Sequence, residues 1–176
     1  MDQWDVPASR PRLKGRNIPL CDLSARPSLH QLGALVYFSH FKRTKTGTPF
    51  SEIKQSSDIA KDFAEAACNF ILRLVNNTED WAIITTPRRR HTDGFHFATA
   101  VCEIISHRLG IPFYEDAVQC INRNRLAPDF HLLRPISEKR VIVYDDIITT
   151  GTTLTATASL LGNRDFVLNI IGINNR

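Results

Sequence analysis

Val141-Ile142-Val143-Tyr144-Asp145-Asp146-Ile147-Ile148-Thr149-Thr150-Gly151-Thr152-Thr153-Leu154 is the stretch on which the fold of this chain turns. Val141 to Val143 read as a buried parallel strand, because a strand covered on both faces shows a continuous apolar run without alternation. Asp145 and Asp146 then fall where the apolar run ends, at the carboxyl edge of an α/β sheet, which is where ligands bind in such sheets. Thr149 to Thr153 bring four hydroxyls and a run of backbone N–H groups around Gly151 into the start of a helix. A glycine there can take φ > 0, and orphan amides at a helix N-terminus make an anion site.

The two halves of the stretch call for two kinds of ligand group. A phosphate suits the Thr149–Thr153 cradle, where amides, hydroxyls and the positive end of the helix dipole all favour negative charge. The carboxylates would repel that phosphate, so they suit neutral hydroxyls a few ångströms away or a hydrated Mg²⁺. A phosphate next to a vicinal diol describes a ribose 5-phosphate. The plainer reading, a threonine N-cap with nearby acids worth about 1 kcal/mol, needs one hydroxyl and not four. A Walker-type loop needs Gly-Lys-Ser/Thr, whereas Gly151 is followed by Thr152.

With its apolar strand, two acids, two apolar residues and Thr-Thr-Gly-x-Thr, the stretch resembles the phosphoribosyl pyrophosphate (PRPP) motif of the type I phosphoribosyltransferases. The resemblance implies a doubly wound, mainly parallel α/β sheet with helices on both faces. It implies Asp145 and Asp146 as the catalytic pair holding the ribose hydroxyls, and Thr149, Thr150, Gly151, Thr152 and Thr153 on the 5-phosphate. Mg²⁺ would come as cofactor, bound mainly through PRPP and water, so no direct metal ligand is named. The purine-salvage enzymes for hypoxanthine and guanine carry an Asp where Thr149 stands, which argues against those substrates and leaves no general acid or base in the motif. His91 and His96 are the other proton-handling candidates, although a lone His is more often a packing residue.

Composition sets the frame around the motif. The 176 residues, 43% hydrophobic and 23% charged, suit one globular domain. No apolar run approaches about 18 residues, so a cytoplasmic protein without membrane attachment is expected. Cys21, Cys68, Cys102 and Cys120 lie far apart, which suits reduced thiols and not a zinc site. The net charge of +4 fits a phosphorylated small molecule or nucleic acid equally. Residues 1–30, interrupted by Pro7, Pro11, Pro19 and Pro27, read as an irregular extension whose Arg10, Arg12, Lys14 and Arg16 suit a solvated arm or a nucleic-acid contact. Residues 31–176 are taken as the domain.

Leu32 to Phe41 reads as a strand, and Lys42 to Thr48 as a charged turn. A helix from Ser57 to about Val75 carries Ile59, Phe63, Ala66, Ala67, Phe70 and Leu74 at helical spacing. Trp81 to Thr86 is a strand stopped by Pro87. Arg88, Arg89, Arg90 and His91 follow, ahead of a helix striped by Ala98, Val101, Cys102, Ile105 and Leu109. Repeated βα order puts this basic loop at the same sheet edge as Asp145, where arginine forks suit pyrophosphate oxygens. In the resembling family the corresponding loop binds pyrophosphate.

Ile111 to Tyr114 opens another strand, and a long polar connection with Arg123 and Arg125 follows. Such a connection inside a compact domain is functional or disordered; the family carries a flexible, often hairpin-like loop here, so Arg123 and Arg125 are expected to act on loop closure. Leu154, Ala158 and Leu161 stripe a last helix, and Phe166 to Ile173 supply a last strand. The order Pro87–Gly94, Phe95-His96-Phe97-Ala98 and Asn122–Arg125 ahead of the acid pair is most similar to the competence-protein-F (ComF-type) branch, without its N-terminal cysteine zinc module. The expected function is a Mg-dependent transfer of phosphoribosyl from PRPP to an unknown base, with pyrophosphate released. The family commonly pairs, so a homodimer is an expected assembly. Two other functions fit the same residues: a PRPP-sensing or nucleic-acid-associated accessory protein of competence or DNA processing, and a hydrolase or phosphotransferase using the same cradle.

Overall fold

The computed structural model describes residues 18–24, 26–87, 94–122 and 129–176. In chain order it contains β1 (Leu20–Asp22), β2 (Ser28–Leu32), β3 (Leu35–Thr44), β4 (Thr48–Pro49), α1 (Phe50–Ile53), α2 (Ser57–Leu74) and β5 (Trp81–Thr85). There follow α3 (Phe97–Leu109), β6 (Phe113–Tyr114), β7 (Val118–Cys120), β8 (Phe130–Leu132), β9 (Arg140–Ile148), α4 (Thr152–Leu160) and β10 (Phe166–Asn174). The main sheet runs β4-β1-β3-β10-β9-β5-β6, with β2 added to β3. Strands β3, β10, β9, β5 and β6 are mutually parallel, while β1 and β2 lie antiparallel to β3.

Each face of the sheet buries its own apolar cluster. On one side Phe63, Ala67 and Ile71 of α2 and Phe97, Val101 and Ile105 of α3 close over Ile83, Ile142 and Ile170. On the other, Leu154 of α4 and the β7–β8 hairpin with Val118 and Phe130 cover Ile84, Val143 and Ile171. Helices therefore lie on both faces of a mainly parallel sheet, as the apolar runs of β5, β9 and β10 require. Among the described residues no helix is long and apolar enough to cross a membrane.

Four local details differ from the sequence reading. The segment expected to be irregular up to about residue 30 is paired from Leu20 onward. The apolar run Leu32–Phe41 is not one strand: Gly33, at φ 59°, turns the chain back so that Leu32 faces Leu35 across a hairpin. The long polar connection after Tyr114 contains the antiparallel β7–β8 pair. In α2, which Ser56 caps by accepting from the Ile59 amide at 3.2 Å, Leu74, expected on the apolar stripe, is exposed.

A break in alternation crosses three neighbouring strands at one level. In β9, Val141 and Val143 pack on the α4 side and Ile142 and Tyr144 on the α2–α3 side, yet Ile147 joins the α2–α3 side and Ile148 the α4 side. A regular strand would put them the other way round. In β10, Ile170 and Ile173 share one face across Gly172. In β3, His40 and Phe41, adjacent in sequence, both meet α2, His40 edge-on to Phe70 and Phe41 against Phe63. The three breaks are in register, since Ile171 is the partner of both Ser39 and Asp145. Gly172 permits the close approach: a Cβ there would stand 2.7 Å from the Asp146 carbonyl oxygen and 2.8 Å from the Phe63 ring.

Candidate active site

Strand β9 outlives its neighbour. Its pairing with β5 ends at Thr85–Tyr144, with one further bond from the Thr86 amide to the Tyr144 carbonyl at 3.2 Å. Pro87 then has no N–H to continue the ladder, and β5 leaves the sheet. On the other side β10 stays paired with β9 as far as Ile148. Asp145 and Asp146 thus stand inside a strand rather than after it, where one flank has just opened. The sequence reading placed them at the carboxyl end of the strand, where the apolar run stops; the β10 pairing carries the strand past them to Ile148. The break in alternation at this level lets two consecutive residues, which a regular strand would point to opposite faces, line one cleft.

That cleft, of about 520 Å³, gathers Asp145, Asp146, Thr86 and Lys54 at one end and Thr149, Thr150, Gly151 and Thr153 at the other. The threonine turn is built as its spacing predicts. Gly151 is the N-cap of α4 with φ 83°, and a Cβ there would run into Leu32 of β2. The Thr152 amide lies 3.4 Å from the Thr150 hydroxyl, and the two hydroxyls are 3.1 Å apart. Thr152, alone of the five predicted residues, does not line the cleft. The cradle is therefore the N-terminus of a nine-residue helix with hydroxyls at its lip.

The acid pair is electrostatically costly. Loss of water raises the Asp145 carboxyl well above the usual carboxylate range, and the adjacent Asp146 carboxyl raises it further; a hydrogen bond from Thr86 and the Lys54 charge pull the other way. Asp145 is therefore the carboxyl whose charge this site disfavours. Asp146 is held by Lys54, whose Nζ lies 2.7 Å from Oδ2. Lys54 is the C-cap of the short helix α1.

The other predicted residues fall out differently. Arg88, Arg89, Arg90, His91, Arg123 and Arg125 lie outside the described residues. His96 lines the cleft and caps α3, its Nδ1 accepting from the Thr99 amide at 3.2 Å, so it has a structural task in the position suspected of proton transfer. Lys54, Ser51, Thr86 and Asn175 were not read as site residues. Thr86 carried a signal, a polar residue at the carboxyl end of an apolar strand, while Lys54 carried none. Among the described residues there is no group of three or more His, Cys, Asp or Glu able to hold a metal.

No family model matches the chain, and no curated protein matches it in sequence. Solved structures match it in shape. An adenine phosphoribosyltransferase superposes with a TM-score of 0.50 at 16% identity, over 83% of this chain and 84% of that one. The adenine phosphoribosyltransferase of Saccharomyces cerevisiae, crystallised with an imino-altritol bisphosphate and adenine, gives 0.50 at 15% identity over the same shares. The chain has the type I phosphoribosyltransferase fold. At these identities the likeness speaks for the fold alone, and the chemistry must come from the residues.

Proposed function

We propose that this protein binds PRPP and transfers its phosphoribosyl group to a nitrogenous acceptor, releasing pyrophosphate. The observation that carries the reading is that an acid pair and a helix-N-terminal threonine turn open into one cleft. The likeness in fold to adenine phosphoribosyltransferases supports it. Placement in the ComF-type branch is supported by the order of sequence segments alone.

The 5-phosphate sits against the amides of the Thr149–Gly151 turn, with the Thr150 and Thr153 hydroxyls around it. Asp145 and Asp146 accept hydrogen bonds from the ribose hydroxyls, and with the phosphate anchored this fixes the sugar and its C1 in the cleft. Mg²⁺ fits here as a cation brought by the substrate: two carboxyls offer hard oxygens, the described residues form no protein cage for it, and Mg²⁺ keeps most of its waters. When bound it would neutralise pyrophosphate oxygens and favour the ionised acid pair. Lys54 holds a positive charge at the same place and is positioned to turn from Asp146 to the leaving group. Departure of pyrophosphate leaves positive charge at C1, which the carboxylates stabilise until the acceptor nitrogen attacks.

The test is pyrophosphate release from PRPP and Mg²⁺ across purine, pyrimidine and other nitrogen heterocycles. Release that depends on one acceptor class is the expected result. Saturable PRPP binding with no release on any acceptor would overturn transfer and leave a sensor.

A further inference from the structure

A second cleft of about 520 Å³ opens at the same sheet edge, over the ends of β1 and β3, and Asn174 and Arg176 line it. Asn175, between them, lines the first cleft, so the two lie on either side of the end of β10. Their charge is opposite in kind. Where the first gathers carboxyls, the second gathers Arg26, Lys42, Arg43 and Arg176 around one acid, Asp22.

That acid offsets only part of their charge: Ser24 and the Lys42 charge hold its carboxyl below the usual range, but it is one carboxylate among four cations. Its Oδ1 accepts from the Ser24 amide at 2.9 Å and from the Ser24 hydroxyl at 2.6 Å, and among the described residues none of the four cations has a salt-bridge partner within 4.0 Å. Strand pairing seats Lys42 in the wall of this cleft, as the register partner of Asp22 on one side and of Asn174 on the other. The wall carries neutral donors as well. His30 stacks on Tyr37 at 5.0 Å, and its Nε2 lies 2.8 Å from the Ser39 hydroxyl. Like charges gathered in a concave site repel one another unless an anion joins them, and guanidinium forks suit planar or tetrahedral oxyanions.

We propose that this second cleft is a binding site for a small molecule carrying an oxyanion group, a carboxylate or a phosphate monoester, held by Arg26, Lys42 and Arg43. It stands on this cleft alone and not on the reading of the first. Arg43 also reaches toward the first cleft, its Nη1 lying 3.4 Å from the Asn175 Oδ1, so a ligand here sits next to whatever occupies the other.

The test is an NMR titration of the full chain with inorganic phosphate, phenyl phosphate and benzoate, following the backbone amides of Lys42, Arg43, Asn174 and Arg176. Saturable shifts are expected, with affinity at least about fivefold weaker in Arg26→Gln/Lys42→Gln and retained in the charge-conserving Arg26→Lys/Lys42→Arg. Thr150→Val, which alters the other cleft, leaves these shifts unchanged. Saturation by phenyl phosphate or by benzoate supports the site and names its group. The proposal is overturned if these amides do not saturate, or if the neutralised variant binds as the parent does. Tighter binding of a single-stranded oligonucleotide to the same amides, lost steeply with salt, would overturn it in favour of a polyanion surface.

Discussion

The two clefts at the carboxyl edge of this sheet are built by different means. The first rests on backbone: a break in alternation through β3, β10 and β9, a glycine with no room for a side chain, and a helix N-terminus. It presses two partly buried carboxyls together, which raises that of Asp145 well above the usual range. The second rests on charged side chains gathered where β1, β3 and β10 end. The first is thus costly to the fold and hard to alter piecemeal, whereas the second can change its preferences by single substitutions without disturbing the core. Chemistry that needs fixed geometry belongs to the former, and charge selection to the latter.

The largest expected effect that separates them is on stability against pH. His40 lies at the level of the break, and among the described residues neither ring nitrogen has a hydrogen-bond partner. Burial pushes its pKa down to about 4; the backbones of Ala66 and Ile171 pull the other way without meeting hydrogen-bond geometry. Because the folded value is depressed, the stability it confers is complete above about pH 6.5 and is lost as pH falls towards 4. The linked loss is about 3 kcal/mol. Denaturant unfolding at pH 7 and pH 4.5 should show a clearly steeper loss for the parent than for His40→Gln; equal slopes would mean that the ring is not buried at the break.

Gly172→Ala comes next. Its methyl group meets the Asp146 carbonyl and Phe63, which should cost about 2 kcal/mol in unfolding free energy and weaken PRPP binding while leaving anion binding in the second cleft intact. A variant as stable as the parent, with PRPP binding preserved, would show that the break does not set the acid pair.

Lys54→Met is the mildest. Loss of one cation beside an anionic ligand should weaken PRPP about tenfold, about 1.4 kcal/mol, measured by calorimetry. Tighter binding would show instead that Lys54 competes with the ribose for Asp146.

The parallel half of the sheet was legible because burial on both faces writes itself as apolar runs. Trp81–Thr85, Val141–Tyr144 and Phe166–Ile173 are such runs, and every residue of the stripe Ala98, Val101, Cys102, Ile105 and Leu109 is buried. The antiparallel margin was not, because β1 and β4 are two or three residues long and the Gly33–Ala34 turn hides inside an apolar stretch. The threonine cradle could be read residue by residue, since its chemistry is local. Lys54 and Gly172 could not: each meets the acid pair only through contacts across the sheet, about 92 and 26 positions away in the chain. Of the cations of the second cleft, Lys42 and Arg43 read as charge of a surface turn and Arg26 and Arg176 gave no signal, for nothing in the order of residues says that they line one cleft.

The most direct measurement is calorimetry with PRPP and Mg²⁺ on the parent and on Asp145→Asn/Asp146→Asn. Because the Asp145 carboxyl is raised in the fold, its ionisation costs stability as pH rises above the ordinary carboxyl range, so removing the charge should leave the melting midpoint at pH 7 unchanged or higher. The account predicts one-to-one binding by the parent and affinity at least about a hundredfold weaker in the variant, for the loss of charged acceptors to two hydroxyls. Equal binding by the two proteins would contradict it.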